Sequence, residues 1–224
     1  MIGTKSRVVS LCLKGIVIFS AAVGVILSAI SGAQAFMGGG RVFMYFTIQS
    51  NIVIALVCAI GAILLLRNRP VSDRWYLVKY VFTVSITLTG VVFCFVLAPT
   101  LGKYAWSLQH VLTHVVVPVA AIVDFFVTGK AGSIKKRSVP FVTIPPLLYA
   151  IYTGIAYAEG WEFSAGKAYP YFFLNWGSPA GAFGFTKELP YMGCAWWILL
   201  ILVLLLAVGY GYLLILGLIK RKSN

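Results

Sequence analysis

Acidic side chains are what this sequence has least of: five Asp and Glu stand against 18 Lys and Arg, and charged residues of both signs make up only 10% of the 224 positions. Soluble globular domains carry about 25% charged residues, so that class is excluded. Cysteine is equally thin, with Cys12, Cys58, Cys94 and Cys194 scattered through apolar stretches. No disulfide framework or metal-binding spacing can be built from them, and they read as small buried hydrophobes. Internal repeats, low-complexity tracts and N-x-S/T acceptor sites are also missing. What fills the chain instead is apolar: 61% of residues are hydrophobic and the mean hydropathy is +0.96.

A helix needs about 20 mostly apolar residues to cross a bilayer. Six segments meet that requirement, near 9–30, 43–66, 76–98, 106–127, 140–158 and 192–218. The expected fold is therefore all-α, a single six-helix transmembrane domain over residues 1–224. The N-terminal run, with Lys5, Arg7 and Lys14 ahead of Ala33-Gln34-Ala35, has the outline of a cleavable signal, but its apolar stretch is long for one and reads as a retained first span.

A net charge of +13 invites a nucleic-acid reading, which the placement of the charges rejects. Lys5, Arg7, Arg67, Arg69, Arg74, Lys130, Lys135, Lys136, Arg137, Lys220, Arg221 and Lys222 gather on the N-terminal side of a six-pass weave, and the opposite side has few cations. That asymmetry puts both termini in the cytoplasm. The expected partners are membrane lipids, with anionic headgroups meeting the basic rim.

Polar residues inside spans are the functional candidates. Thr47, Ser50 and Asn51 fall at i, i+3 and i+4 and share one face of the second span. As small polar residues they also suit plain helix-to-helix gluing. His110 and His114 share a face of the fourth span, and Pro118 denies the carbonyl of residue 114 its helical donor, predicting a kink there. Two His at this spacing suit a metal, yet no third ligand accompanies them, so neither a metal nor a cofactor is expected. We expect Thr47 and His114 to meet inside the bundle, supported by Asn51, Ser50 and His110. Asn51 is the expected orienting partner of His114, and Asn51 and Ser50 the expected oxyanion donors.

Asp124 cannot orient His114, since their spacing along one helix is about 15 Å at 1.5 Å per residue. It is expected in a structural ion pair near the cytoplasmic face. Lys14 is expected to snorkel to the interface; the other reading pairs it with Asp124, for which Lys79 competes. The long connection 159–191 is dense in aromatic residues. It suits either a lid over the outer mouth, with Tyr171, Phe172 and Trp176 toward the pocket, or an aromatic belt on the headgroups.

The motifs Tyr45-Phe46-Thr47-Ile48-Gln49-Ser50-Asn51 and His110-Val111-Leu112-Thr113-His114-Val115-Val116-Val117-Pro118 resemble those of the six-pass androgen-induced membrane proteins and their bacterial relatives. Tyr169-Pro170-Tyr171-Phe172-Phe173-Leu174-Asn175 resembles the bacterial branch. The resemblance implies an intramembrane hydrolase of fatty acid esters of hydroxy fatty acids, with Thr47 as nucleophile and His114 as its base. Ser50 remains a rival nucleophile. The expectation is a lipid-ester hydrolase of a bacterial plasma membrane, with its site in the outer half of the bilayer. A lipid-binding protein or small-molecule carrier is the alternative.

Overall fold

The structure is a computed structural model that describes residues 3–34, 39–130 and 132–223. Ala35 of the cleavage-like motif and Gly38 of the glycine run lie outside the described residues. Among the described residues, six helical runs are long and apolar enough to cross a membrane: α1 (Thr4–Gln34), α2 (Phe46–Leu66), α3 (Asp73–Trp106), α4 (Leu108–Thr128), α5 (Lys136–Ala158) and α6 (Cys194–Ser223). No strand occurs among the described residues, so the fold is all-α. Each run carries one of the six apolar segments read from the sequence, and the protein is an α-helical membrane protein.

Helices α1 to α4 form the centre. Val17 and Ala21 of α1, Ile54, Val57 and Cys58 of α2, Ile86 of α3 and Val117, Ala120 and Ala121 of α4 make one buried cluster. Many of these residues are small, which lets helices approach where no hydrophobic force drives them together. Tyr80, Val84 and Leu88 of α3 join Phe125 of α4 with Leu205, Tyr212 and Leu216 of α6 in a second cluster. Helix α6 is peripheral: only 17% of its most apolar window is buried. Its exposed Leu200, Val203 and Leu214 are the surface that lipid must cover.

Prolines shape the helices near the site. In α4, the amide of Val117 bonds back to the carbonyl of Leu112, five residues away, so Leu112–Val116 forms a wide π turn just before Pro118. The expected kink is realised as this extra-residue turn, a known response to a broken ladder. A second wide turn, Phe93–Leu97, precedes Pro99 in α3. In α5, Lys136–Thr143 is 3₁₀ with Pro140 inside it, and Pro145 and Pro146 occupy the first turn of the α-helix that follows. The α-helix thus opens at the proline pair and not at Pro140, because a first turn has no ladder bond to lose.

The wide turn of α4 packs against α3 at Gly90. A Cβ there would come within 2.9 Å of the His114 carbonyl oxygen and 3.2 Å of Pro118. Gly90→Val is expected to push α3 off α4 and cost about 1–3 kcal/mol by overpacking. The measurement is thermal unfolding in detergent, and an unchanged midpoint would mean the helices do not approach so closely.

Deeper in the bundle, Lys14 of α1 and Lys79 of α3 converge on Asp124 of α4, with all three side chains buried. Lys14 Nζ lies 2.6 Å from both carboxylate oxygens, and Lys79 Nζ lies 2.6 Å from Oδ2. Lys79 also donates to Thr128 Oγ1 at 2.5 Å, and Ser10 donates to Asp124 Oδ1 at 2.5 Å. Lys14 therefore does not snorkel, and the two lysines do not compete. Gly61 of α2 leaves the slot for the Lys14 stem, since a Cβ there would meet its Cε at 2.9 Å. Four polar contacts to the carboxylate outweigh what a lone ammonium would gain by reaching the interface.

Candidate active site

Thr47 stands in the first turn of α2, whose preceding residue Tyr45 supplies no side-chain cap. The amides of Ile48 and Gln49 both turn back to the Tyr45 carbonyl. The Thr47 amide has no such helical acceptor and donates to the Tyr171 hydroxyl, 3.3 Å away. First-turn amides carry the positive end of the helix dipole. Negative charge developing on the Thr47 hydroxyl would lie beside them.

The Thr47 Oγ1 atom lies 3.3 Å from His114 Nε2 and 3.3 Å from the Tyr171 hydroxyl. On the far side of the imidazole, Nδ1 faces two acceptors. One is the His110 carbonyl at 3.0 Å, and the other is Thr113 Oγ1 at 3.0 Å. The Thr113 hydroxyl has already given its hydrogen to the Gln109 carbonyl at 2.7 Å. Nδ1 must therefore carry the proton, which leaves Nε2 as a bare acceptor toward Thr47. This is the tautomer a general base requires.

Phe93, the first residue of the wide turn in α3, fixes the plane of that ring. Its centroid lies 3.7 Å from that of His114 with the planes 21° apart. Asn51 does not orient the imidazole. Its Nδ2 donates to the Thr47 carbonyl at 2.8 Å and to the Thr113 carbonyl at 3.1 Å. With the Val117 amide drawn back to Leu112, the Thr113 carbonyl would next look to residue 118, which is proline and has no N–H. Asn51 supplies the missing donor and so locks α2 to α4 at the level of the Thr47–His114 pair.

Neither expected oxyanion donor is free. Both Asn51 hydrogens are spent as described, and Ser50 gives its single hydrogen to the Thr47 carbonyl at 3.0 Å while its oxygen contacts Thr89 Oγ1 at 2.9 Å. Ser50 thus ties α2 to α3 and does not face the imidazole. His110 is also removed from Thr47. Its Nδ1 bonds the Tyr104 carbonyl at 3.1 Å, and its ring meets His114 edge-on at a centroid distance of 5.6 Å.

Of the three loop residues expected near the pocket, Tyr171 alone reaches Thr47. Trp176 donates to Thr153 Oγ1 of α5 at 3.1 Å, and Phe172 packs edge-on against Trp197 of α6 at 5.6 Å. Their loop neighbours Phe173 and Leu174 turn inward instead. Beside Thr47 these two residues help to line an apolar cleft that is partly open to the surroundings. The cleft runs between Leu147 and Ala150 of α5 and Ile198, Ile201 and Leu202 of α6, with Thr47, Thr89 and tyrosine hydroxyls among its few polar groups.

The phenols at the mouth stay protonated. Burial, with the neighbouring Tyr171 adding to it, pushes Tyr45 up to about 12. Burial likewise raises Tyr171, against the opposing pull of its hydrogen bonds to Thr47. Among the described residues, no three His, Cys, Asp or Glu side chains gather into a metal-binding group. No protein-family model, curated protein or solved structure matches the chain.

Proposed function

We propose that the protein is an intramembrane lipid-ester hydrolase in which Thr47 is the nucleophile and His114 the general base. The observation that carries this reading is the Thr47 Oγ1 to His114 Nε2 separation of 3.3 Å, with Nδ1 held as donor on the opposite side of the ring. The apolar cleft at Thr47 suits a substrate whose chains are hydrocarbon, and acyl esters, including fatty acid esters of hydroxy fatty acids, are the substrate class. The resemblance to the six-pass androgen-induced proteins points the same way.

The chemistry follows from the pair. His114 Nε2 takes the Thr47 hydroxyl proton as Oγ1 attacks the ester carbonyl carbon. Collapse of the tetrahedral intermediate breaks the bond to the alkoxy oxygen, which leaves as the alcohol with the proton from Nε2. Water then attacks the acyl-threonine while giving its proton to Nε2. The acid departs, and the Thr47 oxygen recovers a proton from His114. Thr47 rather than Ser50 takes the nucleophile role because, of the two, Thr47 contacts the imidazole. The basic rim at the opposite end of the bundle suggests a bacterial plasma membrane with both termini cytoplasmic and the site in the outer half.

A fluorophosphonate hydrolase probe applied to detergent-purified protein tests the reading. Label is expected on Thr47 and is expected to vanish in His114→Ala. Absence of label in folded protein would overturn the hydrolase in favour of a lipid-binding or carrier function.

A further inference from the structure

The hydrogens of Thr47 and His114 have assignable directions. The Tyr171 oxygen accepts the Thr47 amide hydrogen, and the Tyr149 hydroxyl, which gives its own hydrogen to the Met44 carbonyl, also lies against it. The Thr47 hydroxyl hydrogen goes to Nε2, because Nδ1 is protonated by the demands of the His110 carbonyl and Thr113. The Thr47 oxygen is then an acceptor, and the group 3.3 Å from it is the Tyr171 hydroxyl. The result is a one-way line of donors: Tyr171 to Thr47, Thr47 to His114, and His114 to the His110 carbonyl.

Resting on the hydrolase reading, we infer that Tyr171 is a catalytic residue, a loop-borne donor that stabilises the charge developing on the Thr47 oxygen and completes the site only when the loop is seated. Two observations support it beyond distance. Asn51 and Ser50 are committed to helix-to-helix bonds, so neither of these α2 side chains serves as that donor. The phenol is also held in place by its ring, which stacks on Phe173 at 5.1 Å with the planes 9° apart and meets Tyr45 edge-on at 5.9 Å. Burial keeps it protonated, as a donor must be. As Oγ1 loses its proton to Nε2, the Tyr171 bond becomes charge-assisted and strengthens, which is the differential binding that accelerates a step. The same loop that lines the cleft thereby makes turnover depend on its being seated.

The test uses the full-length protein in detergent and p-nitrophenyl octanoate as the ester. Tyr171→Phe keeps the stacked ring and removes only the hydroxyl. Its kcat is expected to fall about a hundredfold, the loss typical of one donor to developing charge, with KM changed far less. Replacing Tyr171 by 3-fluorotyrosine, a more acidic donor of nearly the same shape, is expected to raise kcat at a pH where the phenol stays protonated. A merely structural tyrosine would not respond in that direction. Wild-type kcat in Tyr171→Phe, with turnover abolished in Thr47→Ala, would overturn this inference alone. Turnover surviving in Thr47→Ala would overturn both it and the hydrolase reading.

Discussion

His114→Ala is expected to lower kcat for ester hydrolysis by about 10²–10⁴-fold, the range a positioned general base contributes. The imidazole accepts from Thr47 on one side and donates to its own helix on the other. Removing it leaves Thr47 an ordinary alcohol. Thr47→Ala should fall comparably, and the double variant should be no slower than the worse of the two, because groups that act in one proton transfer are lost together. Steady-state rates on a soluble acyl ester, paired with thermal unfolding to show the fold intact, provide the measurement. If the two losses multiply, the residues act separately and the pair is not a catalytic unit.

Asp124→Ala is expected to destabilise the protein by about 3–5 kcal/mol, since it strands buried charges that had been paired. Two lysines depend on this one carboxylate, both within 2.6 Å of it. The thermal midpoint in detergent should drop sharply. Replacing Lys14 and Lys79 by methionine alongside Asp124→Leu should recover much of the loss, because a well-packed apolar cluster can stand in for a buried ion network. An Asp124→Ala protein as stable as the wild type would mean the cluster is hydrated or uncharged.

The six spans were legible because each is a continuous apolar run, and a bilayer leaves the backbone little choice within such a run. The meeting of Thr47 with His114 was legible for a related reason. Polar groups inside spans must find one another, and the chain has only two histidines. The details that make the pair work were hidden in features with no sequence period. Pro118 announced a disturbance but not a wide turn, and so not that the Thr113 carbonyl would need Asn51. Phe93 looked like any apolar residue of α3, yet it is the face on which His114 lies. Thr113 could have been noticed, being adjacent to His114 and one turn from Gln109. Tyr171 was one aromatic residue among many in the loop, and only its hydroxyl, set by the loop path, distinguishes it from Phe172 and Trp176. Lys14 was misread because a lysine near a helix end usually does snorkel, and sequence cannot show that a carboxylate from α4 arrives at the same depth.

The Lys14–Asp124–Lys79 cluster also has an order in time. The chain is made from its N-terminus, so α1 and α3 deliver their lysines before α4 brings the aspartate. Each lysine lies near the basic end of its helix, where a long side chain can keep its ammonium in the headgroup region while it waits. A short aspartate has no such refuge. When α4 enters, however, two cations are already present to receive its carboxylate. The same three residues in the reverse order would ask the membrane to hold a lone carboxylate until the next lysine-bearing span was made.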